Sequence, residues 1–141
     1  LTAVVRCSRL AYKSMLQKPQ HLGYIININS IHGHSIAQFD NGVQLGIYPA
    51  SKYGITAATE VMRRELVNKG NRKIKITSLS PGLVKTNIIK AAGLSKEIEE
   101  SFFENPFILP EDIANTIEYL LSTPEHVNIS EITVRPTGGN V

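Results

Sequence analysis

The sequence predicts an α/β protein built on a parallel sheet. Three short runs rich in β-branched residues, 24–29, 73–80 and 129–136, alternate with longer stretches of helical period, and such alternation implies strands joined by helical crossovers. Glycine, proline and polar residues gather between the runs, where the chain must turn. In open parallel sheets ligands bind in the crevice outside the carboxyl ends of the strands. The segments at that edge are 30–47 and 81–87.

Each element has its own signal. Residues 2–17 carry Val4, Val5, Leu10, Ala11 and Met15 at near-helical spacing, which predicts an amphipathic helix. KPQHLG, 18–23, breaks it. YIININ, 24–29, is short, apolar and bounded by Gly23 and Ser30, as a buried strand should be. Residues 30–47 form a long connection rich in Gly, His, Asn and Asp, and loops of that length in compact domains are usually functional. The Asn41-Gly42 pair marks a turn there, with Asp40 beside it. A helix opens at Tyr48, because Pro49 is tolerated only in a first turn. Ile55, Ala58, Thr59, Met62 and Leu66 form its inner stripe, Arg63, Arg64 and Lys69 its outer side, and Gly70 its stop. Gly54 costs the helix interior about 1 kcal/mol relative to Ala, which implies a closely packed neighbour. KIKITSLS, 73–80, is the second strand, with PGLVKT, 81–86, at its carboxyl end. Residues 95–103 are expected to be partly helical. Pro110, Glu111 and Asp112 begin another helix, acidic in its first turn as the macrodipole favours. Ile113, Ile117, Leu120 and Leu121 are its buried stripe, and Pro124 ends it. ISEITVRP, 129–136, is the third strand.

Composition narrows the function. Of 141 residues, 42% are hydrophobic and 19% charged, the balance of a globular chain rather than a disordered one. Fifteen Lys+Arg against 12 Asp+Glu leave a formal charge of only +3. The densest basic run, 69–75, is broken by Gly70, Asn71 and Ile74. It reads as a solvated turn, and no nucleic-acid partner is expected. No apolar run reaches the length of about 18 residues that a membrane helix needs, and no signal-peptide pattern is present, so no membrane partner is expected. Cys7 is the single cysteine. An internal disulfide is therefore impossible, which suits a reducing compartment, and Cys7 reads as a small packing residue. His32 and His34 form His-x-His, but no third ligand stands at metal spacing, so no metal is expected.

Three residues suggest chemistry. Tyr48 and Lys52 lie at i and i+4 on one helix face. A tyrosine has a pKa of about 10, and a cation within about 4–6 Å favours its phenolate. A tyrosine so tuned can exchange a proton with an alcohol or carbonyl oxygen. Ser30, at the end of the first strand, is placed to hydrogen-bond the same oxygen. Such a set serves hydride chemistry with the hydride supplied by a cofactor.

GYIININSIHG (23–33), YPASK (48–52) and SPGLVKT (80–86), in this order and on these elements, resemble the short-chain dehydrogenase/reductase family. LPEDIANTIEYLLSTPEHVNISEITVRPT (109–137) resembles that family's last helix and strand. Within the family, that tail and residues 39–66 are similar to the insect farnesol dehydrogenases and to the vertebrate group called dehydrogenase/reductase member eleven. The resemblance implies that Tyr48 is the catalytic acid/base, that Lys52 lowers its pKa and binds the nicotinamide ribose, and that Ser30 donates to the substrate oxygen. Tyr48, Lys52, Pro81, Gly82, Val84 and Thr86 would contact the cofactor, expected to be NADP, with NAD as the alternative. It further implies a small apolar alcohol or carbonyl as substrate, with Phe102, Phe103, Phe107 and Ile108 as lid or core residues, a cytoplasmic location, and a homodimer or homotetramer when complete. The family's glycine-rich loop, adenine-side residues and catalytic Asn precede the matching region, and this sequence has none of them. The fold expected is therefore an incomplete Rossmann-like doubly wound parallel sheet, one partial domain over 1–141, which alone is not expected to bind dinucleotide tightly. The alternative function is that of a catalytically incompetent fragment or isoform acting only through oligomer contacts.

Overall fold

The computed structural model describes residues 1–18, 22–37 and 44–139; the turn expected at Asp40, Asn41 and Gly42 lies outside them. The elements run α1 (Thr2–Leu16), β1 (Gly23–Ile28), a 3₁₀ turn (Ile31–Gly33), α2 (Tyr48–Asn68), β2 (Ile74–Pro81), α3 (Ile88–Ala91), α4 (Lys96–Phe103), α5 (Pro110–Ser122) and β3 (Glu131–Val134). The sheet is parallel, in the order β1-β2-β3. Gly23 stands opposite Ile74 and Ile28 opposite Leu79, while Ser78 faces Glu131 and Pro81 faces Val134. The fold is α/β, and its strands fall where the β-branched runs placed them, shifted by one or two residues at their ends.

Strand alternation sends successive side chains of β2 to opposite faces. Ile74 and Ile76 join Ile25 and Leu66 in a buried cluster, with Ala11, Tyr12, Met15 and Met62 packed against it. That face belongs to α1 and α2. Burying such an isoleucine contributes about 1.5–3 kcal/mol. On the opposite face Lys75 donates to Thr123 Oγ1 at 2.7 Å and to the Thr123 carbonyl at 3.0 Å, at the end of α5. Its ammonium also sits 4.8 Å from the Tyr24 ring centroid. Helices thus lie on both faces, as in a doubly wound sheet.

A polar chain crosses the apolar face. Buried Ser8 of α1 donates to Asn27 Oδ1 at 3.1 Å, and Asn27 Nδ2 donates to Thr59 Oγ1 of α2 at 2.9 Å. This explains why Ser8 and Thr59 are buried on otherwise apolar stripes: each satisfies a carboxamide that β1 turns inward. Leu10, counted among the apolar positions of α1, is 66% exposed, and Leu121 of α5 is 59% exposed. Each helix meets the rest of the described chain along a narrower stripe than its sequence suggests. Cys7 is exposed rather than packed.

Helix starts follow local chemistry. Pro49 occupies the first turn of α2, and Asp112 accepts from the Leu109 N–H at 2.8 Å to open α5. Gly54 has the neighbour its cost implied: a Cβ there would stand 2.8 Å from Leu1 Cδ2.

Thr59→Val preserves shape but leaves Asn27 Nδ2 without its buried acceptor. The expected loss is about 1–3 kcal/mol, read as a lower urea midpoint at unchanged slope. Thr59→Ser should recover most of it.

Candidate active site

A crevice of about 400 Å³ opens at the carboxyl edge of the sheet. Ser30, Tyr48, Lys52, Pro81, Gly82, Val84 and Thr86 all line it, together with Ile28, Asn29, His32, Leu83 and Phe102 among others. A larger groove of about 580 Å³ between α1 and α2 lies away from this edge, and none of those seven residues borders it.

One wall is the end of β1 and the turn after it. Asn29 N–H donates to the Leu79 carbonyl at 2.7 Å, holding the chain in the sheet one residue past the strand. Ser30 is buried and caps the 3₁₀ turn: its Oγ accepts from the His32 N–H at 3.1 Å. A hydroxyl that accepts still has its hydrogen to donate. The turn sits tightly on α2. A Cβ at Gly33 would stand 2.7 Å from Thr56 Oγ1 and 3.0 Å from the Lys52 carbonyl, so only glycine fits. Thr56 Oγ1 accepts from Asn29 Nδ2 at 2.8 Å and donates to the Gly33 carbonyl at 3.0 Å, linking strand, turn and helix through one hydroxyl.

Lys52 is half-buried. Its Nζ donates to the Asn29 carbonyl at 3.0 Å and to the Ile28 carbonyl at 3.4 Å, and burial lowers its pKa from the usual lysine value. The same ammonium lies 5.5 Å from the centroid of the Tyr48 ring. The i, i+4 spacing therefore does bring phenol and ammonium together, with the ammonium fixed by backbone carbonyls.

The second wall is the loop after β2. Gly82 N–H donates to the Val134 carbonyl at 2.8 Å. Val84 forms a parallel bridge with Ile108, flanked by Ile108 N–H to the Leu83 carbonyl and Lys85 N–H to the Ile108 carbonyl, both 2.9 Å. Thr86 Oγ1 accepts from the Ile88 N–H at 3.3 Å, so it caps the next turn while lining the crevice. Of the aromatic lid candidates only Phe102 lines the crevice. Phe103 and Phe107 pack edge to face at 5.7 Å, and Lys85 lies over both rings, at 5.8 and 4.7 Å.

The two histidines diverge. His32, expected as a plain loop residue, is buried beside Tyr48, with ring centroids 6.0 Å apart at 73°. Burial lowers its pKa; a hydrogen bond with the Ser35 backbone acts in the opposite direction, and the Arg135 charge lowers it further. His34 instead contacts Ser80 and Glu131. No cluster of three metal-ligating side chains occurs among the described residues.

The family model described as short chain dehydrogenase matches residues 1–97. The chain belongs to the short-chain dehydrogenase family. It is 43% identical over 137 residues to a farnesol dehydrogenase of Aedes aegypti, covering 96% of this chain and 50% of that one. To the dehydrogenase/reductase SDR family member 11 of Gallus gallus it is 41% identical, covering 96% and 52%. The chain thus spans about half the length of these curated relatives. A 4-hydroxyisoleucine dehydrogenase mutant, solved with NADH and succinate, superposes with a TM-score of 0.75 at 27% identity, covering 99% of this chain and 57% of that one. The closed form of serine dehydrogenase complexed with NADP+ gives a TM-score of 0.79 at 24% identity, covering 98% and 53%, and so shares the fold. Among the described residues no helix is long and apolar enough to cross a membrane.

His32 has a consequence for pH. Its folded pKa lies below the ordinary 6.5, so on acidification the unfolded chain takes up the proton first. Stability should therefore fall as pH drops below about 6.5. His32→Phe should flatten that slope in thermal unfolding between about pH 7.5 and 5.5; parallel slopes would contradict the assignment.

Proposed function

We propose that this chain carries the proton-transfer centre of an NAD(P)-dependent oxidoreductase that interconverts an alcohol and a carbonyl by hydride transfer. The observation that carries the reading is the convergence of Ser30, Tyr48 and Lys52 with the Pro81, Gly82, Val84 and Thr86 wall on one crevice. The crevice volume of about 400 Å³ falls in the range of small-ligand sites.

The side chains present suit a nicotinamide riboside. Ribose hydroxyls call for mixed donors and acceptors, which the Tyr48 hydroxyl and the Lys52 ammonium supply. Lys52 directs hydrogens at two carbonyls and retains a third. A carboxamide calls for a hydroxyl beside open backbone, which Thr86 and the segment from Pro81 to Val84 offer. Bound there, the nicotinamide would donate or accept the hydride. NADP is the proposed form, by resemblance to the member eleven group, with NAD the alternative.

In the oxidative direction Tyr48, as phenolate, takes the alcohol proton. Lys52 holds positive charge near the ring and stabilises the phenolate oxygen. Ser30 donates its hydroxyl hydrogen to the substrate oxygen and orients it. Leu83, Ile88, Phe102 and Ile113 give the crevice an apolar lining, which supports an apolar substrate, isoprenoid alcohols included. A cytoplasmic location and a homodimer or homotetramer form part of the proposal, from the resemblance.

Tyr48→Phe should lower turnover of an apolar alcohol about 10²- to 10⁴-fold, and Lys52→Met should do likewise. Near-normal rates for either variant would overturn the assignment. Titration of NADPH fluorescence with the chain separates this reading from its rival: saturable binding supports the enzyme, while silence together with a defined oligomer supports a chain acting through subunit contacts.

A further inference from the structure

Through its side chain His34 joins the segment after the 3₁₀ turn to β2 and β3. It follows the turn capped by Ser30. Its Nε2 lies 3.1 Å from Ser80 Oγ and 3.1 Å from Glu131 Oε1. Ser80 is fully buried and immediately precedes the Pro81 wall, and Glu131 opens β3. Ser80 Oγ donates to the same Glu131 oxygen at 2.8 Å.

The hydrogens can be assigned by elimination. A carboxylate oxygen only accepts. Ser80 has given its one hydrogen to Glu131, so toward the imidazole its oxygen can only accept. The hydrogen between the ring and both oxygens must therefore sit on Nε2, which donates to the two together. One donor thus ties the Ser30 turn to the two strands that carry the opposite wall. Lost, it would leave two facing oxygens sharing only the serine hydrogen, and the turn would lose its tie to Glu131 of β3.

We infer that His34 is a positioning residue: through Ser80 and Glu131 it sets the separation of the Ser30 wall from the Pro81 wall. The inference rests on the proposed reaction for its catalytic consequence, but not for its structural content. It accounts for a histidine that neither faces the crevice nor meets a metal-binding cluster, and for a buried serine placed directly before Pro81.

The decisive variants are His34→Gln, whose amide can return an N–H donor near the Nε2 position, and His34→Phe, which fills similar space without one. In the chain labelled with ¹⁵N-histidine, the uncharged His34 ring should show the Nε2–H tautomer; a dominant Nδ1–H tautomer would overturn the inference. His34→Phe should move the amide resonances of Ser30 and Gly82, and His34→Gln should restore them. In turnover of an apolar alcohol with NADP+, His34→Phe should lower kcat by about 10- to 100-fold, as expected for a misplaced reacting group, while His34→Gln stays near the unaltered protein. Equal losses in both variants, or none in His34→Phe, would refute the positioning role. If the unaltered protein shows no turnover, the proposed reaction has failed, and the tautomer and the amide shifts still decide the brace. Should His34→Phe fail to fold, the tautomer and the His34→Gln amides decide it.

Discussion

The close seating of α2 on the end of β1 is the constraint on which the crevice depends. A 3₁₀ turn could not lie within contact of a helix backbone if Gly33 carried a side chain, and Thr56 could not then serve both Asn29 and Gly33. That approach is also what puts the carbonyls of Ile28 and Asn29 within reach of Lys52. An ammonium placed in a half-buried site loses hydration, and the lowered pKa of Lys52 records the loss; two backbone acceptors replace part of it. The lysine is thereby held in one place beside Tyr48 rather than sweeping solvent on a flexible stem. Strand end, turn and helix start thus form one unit whose geometry is set by hydrogen bonds, and the placement of Ser30, Tyr48 and Lys52 follows from how that unit packs.

The opposite wall is organised differently. The chain leaves β2 through Pro81, still in the ladder, and then makes two further attachments: Gly82 to β3, and the segment 83–85 to Ile108. Lys85 covers Phe103 and Phe107 from outside, which leaves Phe102 on the crevice side. Aromatic residues at consecutive helix positions point in different directions, about 100° apart, so one of the pair supports the loop while the other faces the cavity.

Much of this was legible in the sequence for physical reasons. Pro49 fixes the start of α2, and a helix start fixes the facing of Tyr48 and Lys52. The β-branched runs mark the strands because nearly all of β2 is buried. Other features were hidden. The 3₁₀ turn lies inside a stretch that reads as loop, because three residues are too few to show a period. The inward carboxamide of Asn27 looks like a polar interruption until Ser8 and Thr59 are seen on either side of it. His32 and His34 are two residues apart, and the turn between them sends one ring to Tyr48 and the other to β3, a divergence that spacing alone does not encode. Leu10 and Leu121 were misjudged because periodicity reports which residues are apolar, not how wide a face the neighbouring elements cover.

The bridge between Val84 and Ile108 makes residues 85–107 an excursion that leaves and rejoins the molecule at a single point. A segment inserted in that way can be lengthened, shortened or rewritten without shifting the register of any strand or the seating of α2. The lining that this excursion lends the crevice and the strand–turn–helix unit opposite it are then separately heritable, and divergence in the first need not disturb the second.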